Sequence, residues 1–355
     1  MGILTLYVGA RKAIEERPFL AACAREGLKL GIQVIVFTPE DVDHQKSQVR
    51  AHLFDFTNKR WVRAWRPLPR IIYDRCRYQH NGRFAQLRTF RRRYPNQLYL
   101  NHPMANKFRV QEVLERQSAI ARFLPQTRIL RNLSDLTQMS NRHSMLYVKP
   151  VNGTGGRGIL RLHCPNDSAC QVEGRNAQRA IIGRKKGARS PLLHWIHKHC
   201  QHGSYLLQQG IDNRLPSGQV YDFRLIVQKD GTGNWSLTGG GARVGGRRSI
   251  TSNLHGGGRA VTMHNMLNGQ FSSTKAQSII DEMRNLSIRI AQALEKQYGR
   301  LCELGLDIAV DRNGHPWLLE VNPKPAREIF RKTGQMNTYR TAIRRPLEFA
   351  RCLSK

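Results

Sequence analysis

Residues 305–323 constrain the fold more than any other part of this 355-residue chain. Asn313-Gly314 separates two apolar runs, and Asn-Gly is the strongest short-range signal for a β-hairpin because both residues tolerate the positive φ of a tight turn. If these two residues form the turn, Asp307 lies directly opposite Glu320, and Asn322 points to the same face because strand side chains alternate. The sequence therefore predicts a hairpin that gathers three oxygen-bearing side chains.

These three side chains offer the oxygen ligands of a site for a divalent cation. Directly opposed residues lie about 5 Å apart at Cβ, where two like charges destabilise a sheet unless a cation lies near them. Mg²⁺ prefers oxygen ligands, commonly one or two carboxylates completed by water and substrate phosphates. We therefore expect a magnesium site at Asp307, Glu320 and Asn322. The alternative is a solvent-exposed face of the sheet on which each carboxylate pairs with an arginine.

The composition indicates a folded and very basic protein. The chain has 58 Lys and Arg against 25 Asp and Glu, which gives a net charge of +33 and a pI near 10.9. Hydrophobic residues, at 40%, are too many for a disordered polycation. The seven cysteines include no CxxC pair, which argues against a disulfide framework and a structural zinc site. No apolar run approaches the roughly 20 residues of a membrane span, so we expect a cytoplasmic protein.

The positive charge is unevenly distributed along the chain. Residues 51–100 contain 12 Lys and Arg against two Asp, whereas residues 301–325 contain two basic and four acidic residues. An excess of this size attracts polyanions, such as nucleic acid or an acidic protein, and identifies no reaction. The positive charge has two interpretations, a solvated basic surface or a dedicated polyanion site. The sequence does not favour either of them, because no helix-turn-helix, RNP or finger pattern is present.

Alternating apolar runs and helix signals predict an α/β fold that begins with a small α/β domain at residues 1–98. Runs at residues 3–8, 32–37 and 70–74, with a helix opening near Pro18, suggest parallel βαβ pairing. No GxGxxG motif follows the first strand, so no dinucleotide site is expected there.

Three further segments are expected after this domain. Residues 99–204 carry a lysine- and glycine-rich loop, and residues 205–340 carry an antiparallel sheet with the acidic hairpin. Residues 341–355 are expected to form a basic C-terminal tail. A strong amphipathic helix precedes the hairpin, and its core-facing stripe consists of Ile279, Met283, Leu286, Ile290 and Leu294.

Two lysines and a glycine-rich loop form a second candidate site. Asn106 is a suitable N-cap for a helix that places Lys107 in its first turn. A strand over residues 145–148 leads through Lys149 into glycines whose backbone N–H groups can approach phosphate oxygens closely. These glycines are Gly153, Gly155, Gly156 and Gly158. The loop is not a Walker A motif, since no Lys-Ser/Thr follows it, and a plain mobile loop is an open alternative.

Two other segments have features of a ligand site. Residues 208–211 lie at the junction between the two expected sheets, where exposed backbone groups can read an adenine edge. An ordinary strand end is the alternative. Residues 243–259 combine several arginines, including Arg243, with glycines, and this combination suits anionic oxygens. A flexible basic loop explains the same composition.

In order and spacing, these motifs resemble the ATP-grasp superfamily. The matching set is Lys107, Lys149 before the glycine loop, Gln208-Gln209-Gly210-Ile211, Asp222-Phe223-Arg224, Asn253-Leu254-His255-Gly256-Gly257-Gly258-Arg259, and Asp307 with Glu320-Val321-Asn322. Within the superfamily, Tyr-Val-Lys-Pro-Val-Asn-Gly-Thr-Gly-Gly-Arg-Gly-Ile at residues 147–159 most resembles the YheC/YheD family, which is associated with bacterial endospore coats. Residues 253–259 also resemble glutathione synthetases and the ribosomal-protein glutamate ligases.

The resemblance implies a pre-ATP-grasp domain followed by two α+β lobes that clasp ATP. The residues implied to bind ATP are Lys107, Lys149, Gly153, Gly155, Gly156, Gly158, Gln208, Gln209, Gly210, Ile211 and, at the ribose, Asp222. One or two Mg²⁺, with Mn²⁺ as an alternative ion, would bind Asp307, Glu320 and Asn322. The implied catalytic residues are Arg243, which would face an acyl phosphate, and Asn253. Gln208 stands where many members have Glu, so adenine contacts would depend more on the backbone.

The reaction that the resemblance implies is ATP-dependent joining of a carboxylate to an amine. The carboxylate would attack the γ-phosphate of ATP, and the amine would capture the resulting acyl phosphate. An acidic or spore-coat component is the expected substrate or partner, while the individual carboxylate and amine cannot be read from the sequence. The alternative is an ATP-binding assembly protein without catalysis that docks on a polyanionic scaffold.

Overall fold

The computed structural model describes residues 1–77, 81–152, 157–178, 180–247, 249–252, 254 and 257–354 of the chain. In these residues it contains sheets of seven, six and five strands, together with a short two-stranded ribbon. Helices pack on the sheets, and buried apolar side chains fill the layers between them. The predicted α/β class is confirmed.

The N-terminal unit is built on a mixed sheet with three parallel and three antiparallel strand pairs. Its elements are β1 (Gly2–Leu4), β2 (Tyr7–Val8), β3 (Ala13–Ile14), α1 (Arg17–Lys29), β4 (Ile35–Phe37), a 3₁₀ turn (Pro39–Asp41), β5 (Val42–Asp43), β6 (Gln48–Asp55), β7 (Arg60–Pro67), β8 (Ile71–Asp74), α2 (Gly82–Arg93) and β9 (Leu98–Tyr99). β1 pairs in parallel with both β4 and β8, and β8 pairs in parallel with β9. The predicted parallel pairing is therefore confirmed, and the antiparallel hairpin β6–β7 extends the sheet beyond it.

The middle unit carries a six-stranded antiparallel sheet. Its elements are α3 (Lys107–Glu115), α4 (Ser118–Ala121), β10 (Thr127–Leu130), α5 (Leu133–Arg142), β11 (Met145–Pro150), β12 (Leu160–His163), β13 (Cys170–Arg175), β14 (Ile181–Gly187), α6 (Arg189–Cys200) and β15 (Tyr205–Gln209). The strand order is β10-β15-β11-β12-β13-β14. The expected hairpin around the glycine-rich loop is present, because β11 pairs antiparallel with β12.

β15 lies in the sheet of the middle unit. The third segment was expected to begin at residue 205, yet β15 pairs antiparallel with both β10 and β11. Leu206 and Leu207 are buried on opposite sides of this strand, and Leu207 belongs to the middle core. The chain therefore leaves the middle sheet after Gln209, at the segment proposed to contact adenine.

One disulfide departs from the expectation drawn from cysteine spacing. Cys164 and Cys170 are bonded in the structure, and both are buried. Cys164 directly follows β12 and Cys170 opens β13, so the antiparallel pairing of these strands brings the two residues together. Cys23, Cys76, Cys200, Cys302 and Cys352 are free.

The C-terminal unit has a five-stranded antiparallel sheet in the order β18-β17-β16-β19-β20. Its elements are β16 (Tyr221–Lys229), β17 (Trp235–Val244), β18 (Arg259–Thr262), α7 (Met263–Asn268), α8 (Ser273–Tyr298), β19 (Glu303–Val310), β20 (Pro316–Asn322), α9 (Glu328–Lys332) and α10 (Met336–Cys352). The predicted stripe of α8 is buried along its whole length, and Gly299 follows the helix with φ +83°. One face of the sheet therefore packs on α8. The opposite face is covered by α9 and α10 around Ile226, and the rest of it is available for polar residues.

The residues predicted as a basic tail form most of α10. Ile343, Leu347 and Phe349 pack into the same apolar cluster as α1 of the N-terminal unit. The C-terminal segment is therefore an amphipathic helix that joins the two ends of the chain. In the described part of the chain, no helix has both the length and the apolar character needed to cross a membrane.

The hairpin β19–β20 confirms the predicted pairing of Asp307 with Glu320. The turn itself is one residue longer than expected, because Asp311 N donates to His315 O at 3.1 Å. A bulge between the pairs Ile308–Leu318 and Asp307–Glu320 then adds a residue on β20. The two deviations cancel, so the carboxylates still face each other.

Candidate active site

The polar face of the C-terminal sheet carries a network of alternating charges. Asp222 and Arg224 lie two residues apart on β16 and therefore point to the same face. Arg243 on β17 stands opposite Asp222, and Asp307 on β19 stands opposite Arg224. The intervening Phe223 points to the other face and is fully buried in the core. Strand alternation thus separates the site from the core.

Each acidic group of this network pairs with an arginine in a two-bond geometry. Arg243 Nε and Nη2 donate to Asp222 at 2.7 and 2.6 Å, and Arg224 Nε and Nη2 donate to Asp307 at 2.5 and 2.9 Å. Arg243 Nη2 also lies 3.1 Å from Asp307 Oδ2. Such paired charge-assisted bonds fix both position and orientation. The network is therefore preorganised, and Asp222, Arg243 and Asp307 are each less than 10% exposed.

The charges of the network fix its protonation states. Burial acts to raise the pKa of Asp307, but Arg224 and Arg243 outweigh it and hold this pKa well below the usual value. Burial acts to lower the pKa of Arg243, whereas Asp222 and Asp307 raise it above the usual value. Asp307 is therefore an anion and Arg243 a cation throughout the neutral range.

The three residues predicted to hold a metal lie together. Asp307 faces Glu320 across the hairpin, and Asn322 Nδ2 lies 3.5 Å from Asp307 Oδ2. Glu320 Oε1 lies 3.4 Å from Lys107 Nζ. Among the described residues, no three His, Cys, Asp or Glu side chains form a metal-binding group. Both oxygens of Asp307 are engaged by Arg224 and Arg243, which is the arginine pairing of the alternative expectation for this carboxylate. Two carboxylates and one amide nevertheless form the kind of side-chain set that a hard cation takes together with water or phosphate ligands.

Lys149 projects from β11 toward this acidic group. Its Nζ donates to Gln208 Oε1 at 2.5 Å, and Gln208 Nε2 donates to Thr127 Oγ1 at 3.2 Å. The pKa of Lys149 is lowered to about 8, mainly by burial; Glu320 acts to raise it and Lys107 acts to lower it. Lys107 and Lys149 therefore approach the candidate metal residues from two different elements.

Residues 208–211 lie where the chain leaves the middle sheet. Gln209 N donates to Gln126 O at 2.8 Å, and Gly210 N donates to Met145 O at 2.8 Å. A Cβ at Gly210 would lie 2.5 Å from the Met145 side chain, so glycine is required by this close approach. Ile211 is buried. The segment forms an ordered strand end beside Lys149.

The structure describes only part of the glycine-rich loop and of the loop that follows β17. Gly158 has φ +65°, and its N–H donates to Asn176 O at 3.0 Å. The predicted residues Gly153, Gly155, Gly156 and Asn253 lie outside the described residues.

Tyr147 connects the middle sheet to the loop that follows β17. Its hydroxyl donates to Ile250 O at 3.1 Å, which links the segment carrying Lys149 to the basic loop after Arg243. Sequence reasoning assigned no role to Tyr147 or to Arg224. The signal for Arg224 was available, since the alternation Asp222-Phe223-Arg224 places both charges on one face of a strand.

Comparison with known proteins identifies relatives over most of the chain. A model of the YheC/D like ATP-grasp family matches residues 96–353. The endospore coat-associated protein YheC of Bacillus subtilis (strain 168) is 26% identical over 331 residues, covering 92% of this chain and 90% of that protein. The endospore coat-associated protein YheD of the same strain is 25% identical over 324 residues, covering 90% and 70%.

Solved structures show the same fold at lower sequence identity. D-cycloserine synthetase DcsG is 15% identical with a TM-score of 0.56, covering 99% of both chains. D-alanyl-alanine synthetase A from Vibrio cholerae O1 biovar eltor str. N16961 is 12% identical with a TM-score of 0.54, covering 100% of this chain and 97% of that chain. The ATP-grasp ligase PsnB, complexed with a phosphomimetic variant of its minimal precursor, Mg and ADP, is 12% identical with a TM-score of 0.50, covering 96% and 97%.

Proposed function

Because the chain belongs to the YheC/D like family of ATP-grasp proteins, we propose that it is an ATP- and Mg²⁺-dependent ligase that joins a carboxylate to an amine. The observation that carries this proposal is the buried network of Asp222, Arg243, Asp307 and Arg224 beside Glu320. It supplies fixed positive charge next to carboxylates that suit a divalent cation. Phosphoryl transfer demands this combination, since catalysis there consists mainly of positioning and charge neutralisation.

The proposed roles follow from the positions of the side chains. Asp307, Glu320 and Asn322 would hold Mg²⁺, which supplies charge neutralisation at the phosphates when it is bound. Lys107 and Lys149 would contact phosphate oxygens. Two metal ions, or Mn²⁺ in place of Mg²⁺, are compatible with the two carboxylates.

Arg243 would stabilise the negative charge that develops as the substrate carboxylate attacks the γ-phosphate. Its guanidinium is fixed before substrate arrives, because Asp222 and Asp307 hold it from two strands. A preorganised donor of this kind costs no reorganisation during the reaction. The remaining predicted contacts, Gly153, Gly155 and Gly156 to phosphate, Asn253 at the reacting group and residues 208–211 to adenine, stay proposals. The N–H of Gly158 donates to Asn176 O, so Gly158 would contact phosphate only after giving up this bond.

The test is release of ADP and phosphate with a panel of carboxylates and amines in the presence of Mg²⁺. Arg243→Ala is expected to lose turnover by about a hundredfold or more, the size typical for removal of one preorganised donor. Arg289→Ala on the exposed face of α8 is the matched control. Tight ATP binding without ADP release for any substrate pair would instead favour a nucleotide-binding assembly protein.

The names of the two relatives support a proposed association with the endospore coat. Both B. subtilis proteins are endospore coat-associated and align over 90% or more of this chain. A protein made in the cytoplasm and acting on coat material would fit this naming. Fractionation of sporulating cells, with detection of the protein in coat extracts and in the soluble fraction, tests the location.

A further inference from the structure

β7 is an edge strand of the N-terminal sheet. All eight of its residues pair with β6, from Arg60–Asp55 to Pro67–Gln48. β6 pairs with β4 and β5 along its other side, and within the described residues no further strand pairs with β7. The outer side of β7 therefore presents a row of backbone groups without a strand partner.

The pairing pattern identifies which backbone groups face outward. Leu68 N donates to Ser47 O at 2.9 Å, so Leu68 and Ser47 form a hydrogen-bonded pair. Hydrogen-bonded and non-hydrogen-bonded pairs alternate along an antiparallel ladder. The odd-numbered residues Trp61, Arg63 and Trp65 consequently direct their N–H and C=O groups away from β6. The outward orientation of Trp65 O is consistent with its hydrogen bond, which it accepts from Arg66 Nη1 at 2.8 Å and not from β6.

Side-chain contacts of Arg63 anchor the middle of β7 to the N-terminal unit. Arg63 Nη2 donates to Asp41 Oδ1 at 2.5 Å, and Arg63 Nη1 donates to Tyr7 Oη at 2.9 Å. The Tyr7 hydroxyl in turn donates to Asp41, which is buried. Since these contacts fix the central residue of β7, the outer edge does not need to be ordered when a partner binds.

The surface along this edge combines an exposed aromatic ring with positive charge. Trp65 is 51% exposed and stands opposite Arg50, which is also exposed. Arg60 and Arg66 lie on the other face of β7, near its two ends. Residues 48–67 contain five Lys and Arg and one Asp. Tryptophan and arginine are enriched at protein interfaces, and both are exposed along this one edge strand.

We propose that β7 binds an extended, acidic segment of a partner polypeptide by strand addition. Alternating donors and acceptors at Trp61, Arg63 and Trp65 match a peptide backbone, and at Trp65 O the partner's N–H would replace the Arg66 side chain that donates to it in the free protein. Acidic side chains of the partner would pair with Arg60 and Arg66, and Trp65 would cover an apolar side chain.

Two other occupants fit the edge less well. A second copy of β7, paired antiparallel about Arg63, would place Arg60 directly opposite Arg66, and like charges at such positions are destabilising. A nucleic acid would satisfy the positive charge, but it lacks the backbone pattern that a strand edge recognises. None of the residues proposed to bind nucleotide belongs to this surface. The docking proposal and the ligase proposal can therefore be tested independently of each other.

The test measures fluorescence anisotropy of a labelled peptide with the full chain. The probe has about nine residues, blocked ends, two glutamates spaced like Arg60 and Arg66, and alternating threonine and valine between them. We expect binding that weakens at least tenfold in the double variant Arg60→Glu/Arg66→Glu, and severalfold in Trp65→Ala. The charge-matched control Arg289→Glu/Arg340→Glu, with both sites exposed on α8 and α10, should bind the peptide like the unmodified protein.

Two further probes separate strand addition from simple charge attraction. A peptide N-methylated at alternate residues on its pairing side should lose binding, and a single-stranded oligonucleotide of equal charge should bind no more tightly than the methylated peptide. Hydrogen exchange should show new protection at the amides of Trp61, Arg63 and Trp65. Three results would overturn the proposal. They are equal binding of the methylated and unmethylated peptides, tighter binding of the oligonucleotide than of the methylated peptide, and unchanged hydrogen exchange at these three amides.

Discussion

Asp222 and Arg243 stand directly opposite each other on neighbouring strands and share two hydrogen bonds, of 2.7 and 2.6 Å. Both carboxylate oxygens of Asp222 are thereby directed at a single guanidinium. The same guanidinium reaches Asp307 at 3.1 Å. The resemblance to ATP-grasp proteins implies a ribose contact for Asp222, whereas these contacts favour a role in positioning Arg243.

The substitution Asp222→Asn distinguishes the two roles. If Asp222 positions Arg243, the neutral side chain should lower kcat about tenfold or more and leave the affinity for ATP nearly unchanged. If Asp222 binds the ribose, the KM for ATP should rise while kcat changes little. Steady-state kinetics with ATP varied, together with calorimetric titration of ATP, measures both quantities.

Glu320→Gln tests the metal assignment with minimal change of shape. Removing one of two carboxylates should weaken binding of Mg-ATP at least tenfold, while binding of ATP in the absence of Mg²⁺ should change little or improve, because a negative charge near the phosphates is removed. Isothermal titration with and without Mg²⁺ measures the difference. Glu282→Gln, on the outer side of α8, is the matched control. Equal loss of affinity under both conditions would contradict a metal role.

Lys149 gives the affinity for ATP a characteristic pH dependence. Its pKa is lowered to about 8 by burial, so the free protein loses this positive charge as the pH rises through 8. If the ammonium contacts phosphate, ATP should bind with proton uptake near pH 8, and its Kd should rise toward about tenfold per pH unit above that value.

Lys149→Arg and Lys149→Met test this assignment. Arginine stays protonated, so its Kd should be nearly constant between pH 7 and pH 9.5. The Met variant should bind weakly at every pH. Titrations in buffers of different ionisation enthalpy report the proton uptake directly. The same pH profile in the Met variant as in the unmodified protein would assign the dependence to another group.

The sequence predicted the acidic hairpin well because its signals are local. The Asn-Gly turn and strand alternation were sufficient to pair Asp307 with Glu320, even though the turn is longer and a bulge follows. Alternation also contained the signal for Arg224. Local patterns therefore identified one wall of the candidate site.

Contacts between distant segments could not be predicted in this way. The placement of β15 depends on pairing with β10 and β11, which lie up to about 80 residues earlier in the chain. The burial of α10 depends on an apolar surface supplied by α1 at the opposite end of the chain. Hydrophobic periodicity indicates that a surface is buried, but it does not identify the element that covers it.

A fully buried ionic cluster joins the N-terminal unit to the C-terminal sheet. Glu303 accepts hydrogen bonds from Arg75 Nη1 at 2.6 Å, from Tyr73 Oη at 2.5 Å and from Arg327. Arg75 also donates to Pro325 O at 3.2 Å, in the segment that follows the candidate metal residues. The cluster therefore fixes the position of this segment against the N-terminal unit.

Glu303→Gln should lower the free energy of unfolding by about 3–5 kcal/mol at neutral pH, because it leaves two buried arginines without their shared carboxylate. Burial acts to raise the pKa of Glu303, but Arg327 and Arg75 outweigh it and lower this pKa. Its contribution should consequently be complete above the unfolded-state pKa and decrease as the pH falls below it. Urea denaturation at several pH values measures the free energy of unfolding and its pH dependence.

Glu328→Gln is the control, because Glu328 forms an exposed pair with Arg331. This substitution should change the free energy of unfolding by less than about 1 kcal/mol. An equally small effect of Glu303→Gln would show that the cluster does not hold the two units together.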